Sequence, residues 1–174
     1  MNQQFTKISL IGYMGSGKST VARILASKMK LPALDLDDYI TEKEGLSIPE
    51  IFASKGEIYF RKIENVYLGE LLDAEKSLVI ALGGGTPCYA NNMDLLLENS
   101  ETIYLRANVL TLFKRLHDER ASRPMISSQS DDQLTEFIAK HLFERRNFYE
   151  RAETTISIEG KSPEEIADEI LHSR

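Results

Sequence analysis

The stretch GYMGSGKST, residues 12–20, has the types and spacing of residues that bind phosphate. It fits the pattern G-x-x-x-x-G-K-[ST] and stands between an apolar run typical of a strand and a helical pattern. Its three glycines let the backbone wrap so that N–H groups point at phosphate oxygens, and the following helix adds the positive end of its dipole. We expect Lys18 to reach the outer phosphates of a nucleotide and the Ser19 hydroxyl to ligate Mg²⁺. We call residues 12–20 the phosphate loop.

A second candidate site is the acidic stretch LDLDDY, which contains Asp35, Asp37 and Asp38. It is the one acidic cluster that the sequence places at the end of a predicted strand. If the segment is extended, Asp35 and Asp37 share one side of it. One of the two then helps to hold magnesium while the other faces a second substrate. The alternative is a solvated turn in which the aspartates cap a helix.

The third feature is the run LVIALGGGTPC, residues 78–88, in which Gly83–Gly85 follow a buried strand. Three consecutive glycines are costly in backbone entropy, so the run predicts close approach of another group to a bare main chain. We call Gly83–Gly85 the glycine loop. Cys88 follows it closely; a reactive role is conceivable, but a small half-buried filler is the commoner role of a free cysteine.

The elements that must position these residues alternate between short strands and longer helices. Such alternation predicts parallel crossovers and a three-layer α/β sheet. Ligands of these sheets bind at the carboxyl ends of the strands, which is where both glycine-rich segments lie. The expected strands are 7–12, one within 32–37, 77–82, 101–107 and 154–159, and the expected helices are 18–29, 56–72, 108–117, 132–152 and one that begins after Ser162 with Pro163 and a capping-box glutamate.

Composition narrows the class of protein. The chain has 174 residues, enough for one domain with a substantial core. A net charge of −6 argues against non-specific nucleic-acid binding. No apolar run could span a bilayer, the first ten residues do not resemble a signal peptide, and the single cysteine fits a reducing compartment. We therefore expect a cytoplasmic protein without membrane or nucleic-acid partners. We expect a monomer, because the sequence shows no long apolar stripe beyond what the sheet needs.

Further motifs resemble one family, the shikimate kinases. A GTPase is disfavoured, because no N-K-x-D segment is present and the third strand ends in glycines rather than aspartate. The most specific segment is IFASKGEIYFRKIE, residues 51–64, which is similar to the family's I-F-x-x-x-G-E-x-x-F-R-x-x-E. The other matching motifs are GSGKST, Asp35-Leu36-Asp37, the glycine loop, Arg123-Pro124 and Arg145-Arg146-Asn147-Phe148-Tyr149.

The resemblance implies a P-loop kinase fold with a five-stranded parallel sheet flanked by helices over residues 1–174. It adds a substrate-binding helical insertion at about residues 35–64 and a lid at about residues 112–127. The implied reaction transfers the γ-phosphoryl group of ATP to the 3-hydroxyl of shikimate. The alternative is a kinase of the same fold that acts on another small polyol acid such as gluconate.

The resemblance also implies the role of individual residues. Lys18, Asp37 and Arg123 are the implied catalytic residues, with Asp37 as the base that also binds ring hydroxyls. Substrate contacts come from Asp37, from Arg61 and Arg145 on the carboxylate, and from the backbone of Gly84. The implied ATP site comprises Gly15, Ser16, Gly17, Lys18, Ser19, Thr20 and Arg123, and the implied magnesium ligands are Ser19 and Asp35.

Three assignments stay open at this point. Arg115 and Arg120 are both candidates for a contact with adenine. Arg145 fits the register counted back from the tyrosine of its motif, but Arg146 competes with it for the substrate carboxylate. Arg61 alone, without its motif, would be interpreted as a helix-surface residue paired at helical spacing with Glu57 or Glu64.

Overall fold

Five parallel strands form one sheet with helices on both faces in the computed structural model, which describes residues 5–119 and 126–174. The strand order is β2-β3-β1-β4-β5, which confirms the predicted three-layer α/β architecture. The strands are β1 (Lys7–Ile11), β2 (Ala33–Asp35), β3 (Leu78–Ala81), β4 (Glu101–Arg106) and β5 (Thr154–Ser157). The helices are α1 (Lys18–Met29), α2 (Leu36–Glu44), α3 (Ile48–Asp73), α4 (Asn92–Asn99), α5 (Val109–Asp118), α6 (Asp131–Tyr149) and α7 (Pro163–His172).

The central strands are apolar because helices cover both faces of the sheet. All four residues of β3 are buried, and so are the last four residues of β1. Helices α1 and α7 pack together, as do α3 and α4. Within the two described ranges, none of the helices combines the length and apolar character needed to cross a membrane.

The topology brings the phosphate loop and the glycine loop side by side. Strands β1 and β3 are parallel neighbours, with Leu10 opposite Ala81. The chain leaves β1 toward β2 on one side and leaves β3 toward β4 on the other. Ligands of open α/β sheets bind in the crevice at such a reversal, outside the carboxyl ends of the strands. The fold therefore predicts that both loops line one site.

Helices with clear end signals follow the sequence prediction closely. Helix α1 spans Lys18–Met29 as expected. Helix α7 begins at Pro163 with the capping box between Ser162 and Glu165 that the sequence predicts. Four expected strands differ from the observed strands only at their ends, namely 7–12, 77–82, 101–107 and 154–159. The same is true of the helices expected at 108–117 and 132–152.

The prediction for the acidic segment was wrong beyond Asp35. Strand β2 ends there and α2 begins at Leu36. Asp35 is the N-cap of α2, and its Oδ1 accepts a hydrogen bond from the backbone N–H of Asp37 at 3.0 Å. The two aspartates therefore do not share one side of an extended strand, and the capping alternative describes Asp35 correctly. The hydrogen bond that Asp35 accepts as N-cap, together with the dipole of α2, favours a helix start here over the strand that the alternating pattern predicted.

Helix α3 begins earlier than predicted and contains a break. It starts at Ile48 behind Ser47, which forms a capping box with Glu50. Gly56, the predicted start, instead interrupts the helix with φ 82° and ψ 171°, a conformation that a residue with a side chain rarely adopts. Helix α4 and a short 3-10 turn at Thr86–Cys88 were not predicted from the sequence.

A half-buried carboxylate at the end of α2, that of Glu44, contacts both arms of the broken α3. Glu44 accepts hydrogen bonds from Tyr59 at 2.8 Å and Tyr67 at 2.7 Å, beyond the break, and from Lys55 at 3.0 Å, before it. These hydrogen bonds, with that of Tyr67 largest, lower the pKa of Glu44 from 4.5 to about 2. Glu44 therefore helps to set the position of α2, which carries Asp37, relative to α3.

We expect Glu44→Gln to destabilise the fold at neutral pH by about 1–3 kcal/mol, because hydrogen bonds to a charged acceptor are lost or weakened. A carboxylate with a lowered pKa stabilises the folded state above its unfolded pKa of 4.5, and this contribution is lost as the pH falls toward 2. The difference in unfolding free energy between variant and wild type should therefore shrink below pH 4.5.

Chemical denaturation across this pH range measures the effect. The matched control is Glu42→Gln, an exposed residue on the same helix, which should change stability by less than about 0.5 kcal/mol. Equal stability of Glu44→Gln and Glu42→Gln at pH 7 would contradict the role given to Glu44.

Candidate active site

The N-terminus of α1 has no side-chain cap among the described residues. Its N-cap is Gly17 with φ 91°, a residue without a side chain, and the first turn of the helix contains no acidic residue. Helices α2, α6 and α7 by contrast have both a capping side chain and acidic residues in their first turns. Uncapped N–H groups and an uncompensated helix dipole suit the phosphate groups of a nucleotide.

Lys18 places its charge inside the phosphate loop. The ammonium donates to the carbonyl oxygens of Gly12 and Tyr13, both at 2.8 Å, and the residue is 8% exposed. Gly12 has φ 147°, and a Cβ there would lie 2.7 Å from the Leu105 carbonyl oxygen. Glycine is thus required at this position of the loop. Ser16 is buried beside Lys18.

Ser19 and Asp35 meet at the edge of the phosphate loop. The Ser19 hydroxyl donates to Asp35 Oδ2 at 2.5 Å, while the following residue, Thr20, is exposed on α1. Magnesium in nucleotide sites takes one or two protein oxygens and completes its shell with water and phosphate oxygens. A hydroxyl and a carboxylate in contact beside the phosphate loop fit that requirement.

Asp37 is a carboxylate with an unusual environment. Burial, followed by the neighbouring carboxylates of Asp35 and Glu64, raises its pKa from 3.8 to about 6. Lys18 and Arg61 oppose these effects without cancelling them. A carboxylate with a pKa near 6 is ionised at neutral pH and is a stronger base than an ordinary aspartate, which suits proton abstraction from a hydroxyl.

Glu64 belongs to the same site, although the sequence interpretation gave it no role. Its carboxylate is 1% exposed and accepts from Thr86 Oγ1 at 2.6 Å and from Arg61 Nη1 at 2.8 Å. It fixes the Arg61 guanidinium and connects α3 to the turn after the glycine loop. The i,i+3 spacing of Arg61 and Glu64 was visible in the sequence, but burial of the pair was not.

The glycine loop lies against the side chains of the site. A Cβ on Gly85 would come 2.6 Å from Arg61 Nη2, and one on Gly83 would lie 3.4 Å from both Asp37 Oδ1 and Glu64 Oε1. These side chains occupy the space that side chains on the loop would need. The close approach predicted for the glycines is therefore made in part by the protein itself.

The position of Arg61 is compatible with both interpretations of the sequence. It lies 3.7 Å from Glu57 and 2.8 Å from Glu64, the helical pairs that the alternative predicted. It also lies beside Gly85 in the site. The Glu64 carboxylate therefore compensates much of its charge.

Arg145 and Arg146 point to different places. Arg146 is exposed and pairs with Glu150 at 2.6 Å. Arg145 Nη1 lies 3.4 Å from where a Cβ of Gly84 would stand, and the Tyr149 hydroxyl donates to the Gly84 carbonyl at 2.6 Å. Of the two arginines, the structure brings Arg145 to the glycine loop.

Arg145 also differs from Arg61 in its partners. Over residues 5–119 and 126–174, no carboxylate lies within ion-pair distance of its guanidinium. Its charge is therefore available to an anion at the glycine loop, in contrast to the charge of Arg61.

Other predicted residues fall at the margin of the site or outside the described ranges. Arg115 on α5 donates to the Gly15 carbonyl oxygen at 3.1 Å and so borders the phosphate loop. Arg120 and Arg123 lie outside the described residues, as does the middle of the segment expected to form a lid. Residues 112–118 of that segment belong to helix α5. Burial raises the pKa of the Cys88 thiol, which agrees with a filler rather than a nucleophile.

Known proteins with the same arrangement are shikimate kinases. A model of the shikimate kinase family matches residues 14–173. The shikimate kinase of Flavobacterium johnsoniae is 45% identical over 167 residues, which cover 95% of this chain and 96% of that protein.

Solved structures agree with the sequence match. A shikimate kinase from Bacteroides thetaiotaomicron superimposes with a TM-score of 0.90 at 33% identity, covering 97% of each chain. A shikimate kinase from Acinetobacter baumannii in complex with shikimate gives a TM-score of 0.87 at 33% identity, covering 98% of this chain and 93% of that one.

We expect Asp37→Asn to stabilise the folded protein at pH 7–8 by about 1–3 kcal/mol. The upper end is the free energy that corresponds to a pKa difference between 3.8 and about 6. A carboxyl with a raised pKa costs nothing while it is protonated, below about pH 4, and its cost is complete above about pH 6. The gain should therefore appear between these values as the pH rises.

Urea denaturation at pH 4 and pH 7.5 gives both differences. Asp38→Asn, the exposed next residue of α2, is the matched control and should not gain stability. A gain for Asp37→Asn that is the same at both pH values would show that its cause is not the ionised carboxylate.

Proposed function

This chain belongs to the shikimate kinase family and is an ATP-dependent kinase, and we propose that it transfers the γ-phosphoryl group of ATP to the 3-hydroxyl of shikimate. One observation supports the assignment of its site more than any other. The glycine loop lies between the basic carboxylate of Asp37 and the guanidinium of Arg145, which has no carboxylate partner among the described residues, and it adjoins the phosphate loop. An acid with ring hydroxyls needs both a base and a cation within reach of the transferred phosphoryl group.

The proposed chemistry is an in-line displacement. Asp37 accepts the proton of the attacking hydroxyl, the hydroxyl oxygen forms a bond to the γ-phosphorus, and the bond from that phosphorus to the β–γ bridging oxygen breaks. ADP leaves with the electron pair of that bond. Phosphoryl transfer depends mainly on positioning and charge neutralisation, which the phosphate loop and Lys18 supply on the nucleotide side.

Magnesium would be held by Ser19 and Asp35, and when bound it neutralises charge on the phosphate oxygens. Gly15, Ser16, Gly17 and Thr20 complete the proposed nucleotide site through the loop backbone and the first turn of α1. From the family resemblance we also propose that Arg123, which lies outside the described residues, acts on the transferred phosphoryl group from a lid.

On the acceptor side, Arg61 and Arg145 bind the shikimate carboxylate and the backbone of Gly84 contacts the ring. The two arginines are not equivalent in this proposal. Glu64 fixes the orientation of Arg61 and compensates part of its charge, whereas no carboxylate of the described residues compensates the charge of Arg145. Arginine suits the task because its planar donors match the two oxygens of a carboxylate.

A coupled assay of ADP release tests the proposed function. Purified protein with ATP and Mg²⁺ should release ADP rapidly when shikimate is added and slowly without it. Gluconate, the acceptor of the alternative function, should give no stimulation. Stimulation by gluconate and not by shikimate would reverse the assignment of the substrate.

The pKa of Asp37 predicts the pH dependence of turnover. As the base must be ionised, kcat/KM for shikimate should fall about tenfold per pH unit below about pH 6 and level off above it. Asp37→Asn should lower kcat by about 10²–10⁴-fold. The measurement is steady-state kinetics from pH 5 to 9. If the residual activity of Asp37→Asn keeps the same inflection near pH 6, the inflection belongs to another group.

Truncation of either proposed carboxylate-binding arginine, Arg61 or Arg145, should weaken shikimate binding and leave ATP binding nearly unchanged. Loss of one partner of a desolvated charge pair costs about 2–5 kcal/mol, or roughly thirty-fold to a few thousand-fold in kcat/KM for shikimate. Much of the loss should appear in KM, because the contact exists in the ground state as well as in the transition state. The KM for ATP should change by less than about threefold.

Arg145→Ala is the cleaner variant of the two. Arg61→Ala also leaves the buried Glu64 carboxylate without its cation, so its unfolding free energy must be measured beside its kinetics. The matched control is Arg146→Ala, which removes an exposed arginine from the same helix and should leave shikimate kinetics unchanged. A large effect of Arg146→Ala and none of Arg145→Ala would show that Arg146, and not Arg145, binds the carboxylate.

A further inference from the structure

Tyr13 is a large side chain of the phosphate loop that the proposed mechanism does not use. It occupies one of the variable positions in the G-x-x-x-x-G-K pattern, where the pattern requires no particular side chain. The residue is nevertheless 1% exposed and is among the largest fully buried side chains of the protein. Its carbonyl serves Lys18, but that contact needs only the main chain.

The Tyr13 ring faces helix α6. The guanidinium carbon of Arg145 lies over the ring, 5.4 Å from its centroid, within the range of a cation–π interaction. The Tyr13 hydroxyl lies 3.3 Å from Nδ1 of His141, one turn earlier on α6. Burial raises the pKa of Tyr13 to about 12, so the hydroxyl is protonated at neutral pH. The side chain thus contacts two consecutive turns of α6.

An aromatic face holds an arginine in a way that a carboxylate could not. The donors of a guanidinium lie in its plane, so a ring against its flat side leaves them available. A carboxylate partner would occupy those donors and compensate the charge, as Glu64 does for Arg61. Arg145 lacks such a partner among the described residues and has Tyr13 on one side and Tyr149 on another.

We propose that Tyr13 is a positioning residue for Arg145, so that a side chain of the phosphate loop orients the cation that binds the carboxylate of the acceptor. This inference rests on the proposed function, in which Arg145 binds the shikimate carboxylate. It assigns a role in acceptor recognition to a loop whose other residues serve the nucleotide. The side chain of Tyr13 acts on the acceptor and its main chain acts on Lys18.

The test is a double-mutant cycle on Tyr13 and Arg145. Tyr13→Leu removes the ring and should raise the KM for shikimate about two- to thirty-fold, the range that corresponds to a cation–π interaction. The KM for ATP should stay within about twofold. In an Arg145→Ala background, Tyr13→Leu should have no further effect on shikimate kinetics, because the group that it positions is gone.

Tyr13→Phe is the matched control, since it keeps the ring and removes only the hydroxyl. It should keep the KM for shikimate within about threefold of wild type. If Tyr13→Leu does not fold, Tyr13→Met provides an unbranched apolar side chain without a ring, and the same cycle applies.

The outcomes distinguish failure of the role inferred for Tyr13 from failure of the proposed function on which it rests. Absence of shikimate-dependent ADP release by the wild-type protein would overturn the proposed function and the inference together. Normal wild-type turnover with a Tyr13→Leu effect that is equally large in the Arg145→Ala background would overturn the inference alone. The same holds if Tyr13→Leu raises the KM for ATP and leaves that for shikimate unchanged.

Discussion

The rest of the site depends on the hydrogen bonds that the buried carboxylate of Glu64 accepts. It accepts from Arg61 on its own helix and from Thr86 after the glycine loop, so it joins α3 to the end of β3. A buried carboxylate is stable only while such donors remain in place. Because it also lies near Asp37, its charge helps to keep the pKa of that residue near 6. The Glu64 carboxylate thus orients Arg61, a proposed binding group, and raises the pKa of Asp37, the proposed base.

The site balances its charges differently on its two sides. The phosphate-loop side has the N-terminus of α1, which no described side chain caps, and the ammonium of Lys18, both suited to a polyanion. The acceptor side mixes carboxylates with arginines, which suits a molecule that has hydroxyls and a single negative charge. The glycine loop separates these side chains, and it can lie between them only because it lacks side chains of its own.

The sequence predicted the parts of the fold and site that depend on local signals. The phosphate loop, helix α1 and the capping box of α7 follow from residue types at fixed spacing, and the structure confirms them. The turn at Asp35 was misread because alternation over a few residues does not distinguish a strand from a capped helix start. Helix α4 has few end signals, and the pairing of Glu64 with Thr86 joins residues far apart in the chain. Such contacts depend on tertiary structure, which local patterns do not contain.

The elements that carry the proposed acceptor site are connected to the sheet less directly than the phosphate loop is. Helix α2 leaves an edge strand, and α3 is interrupted at Gly56, so neither is held by strand pairing. Glu44 compensates for this by joining α2 to both arms of α3, at some distance from the reacting groups. The ionised carboxylates of Glu44 and Asp37 therefore have opposite effects on the stability of the fold. Hydrogen bonds favour the ionised form of Glu44, whereas burial disfavours that of Asp37, and this difference separates a structural carboxylate from the one proposed as the base.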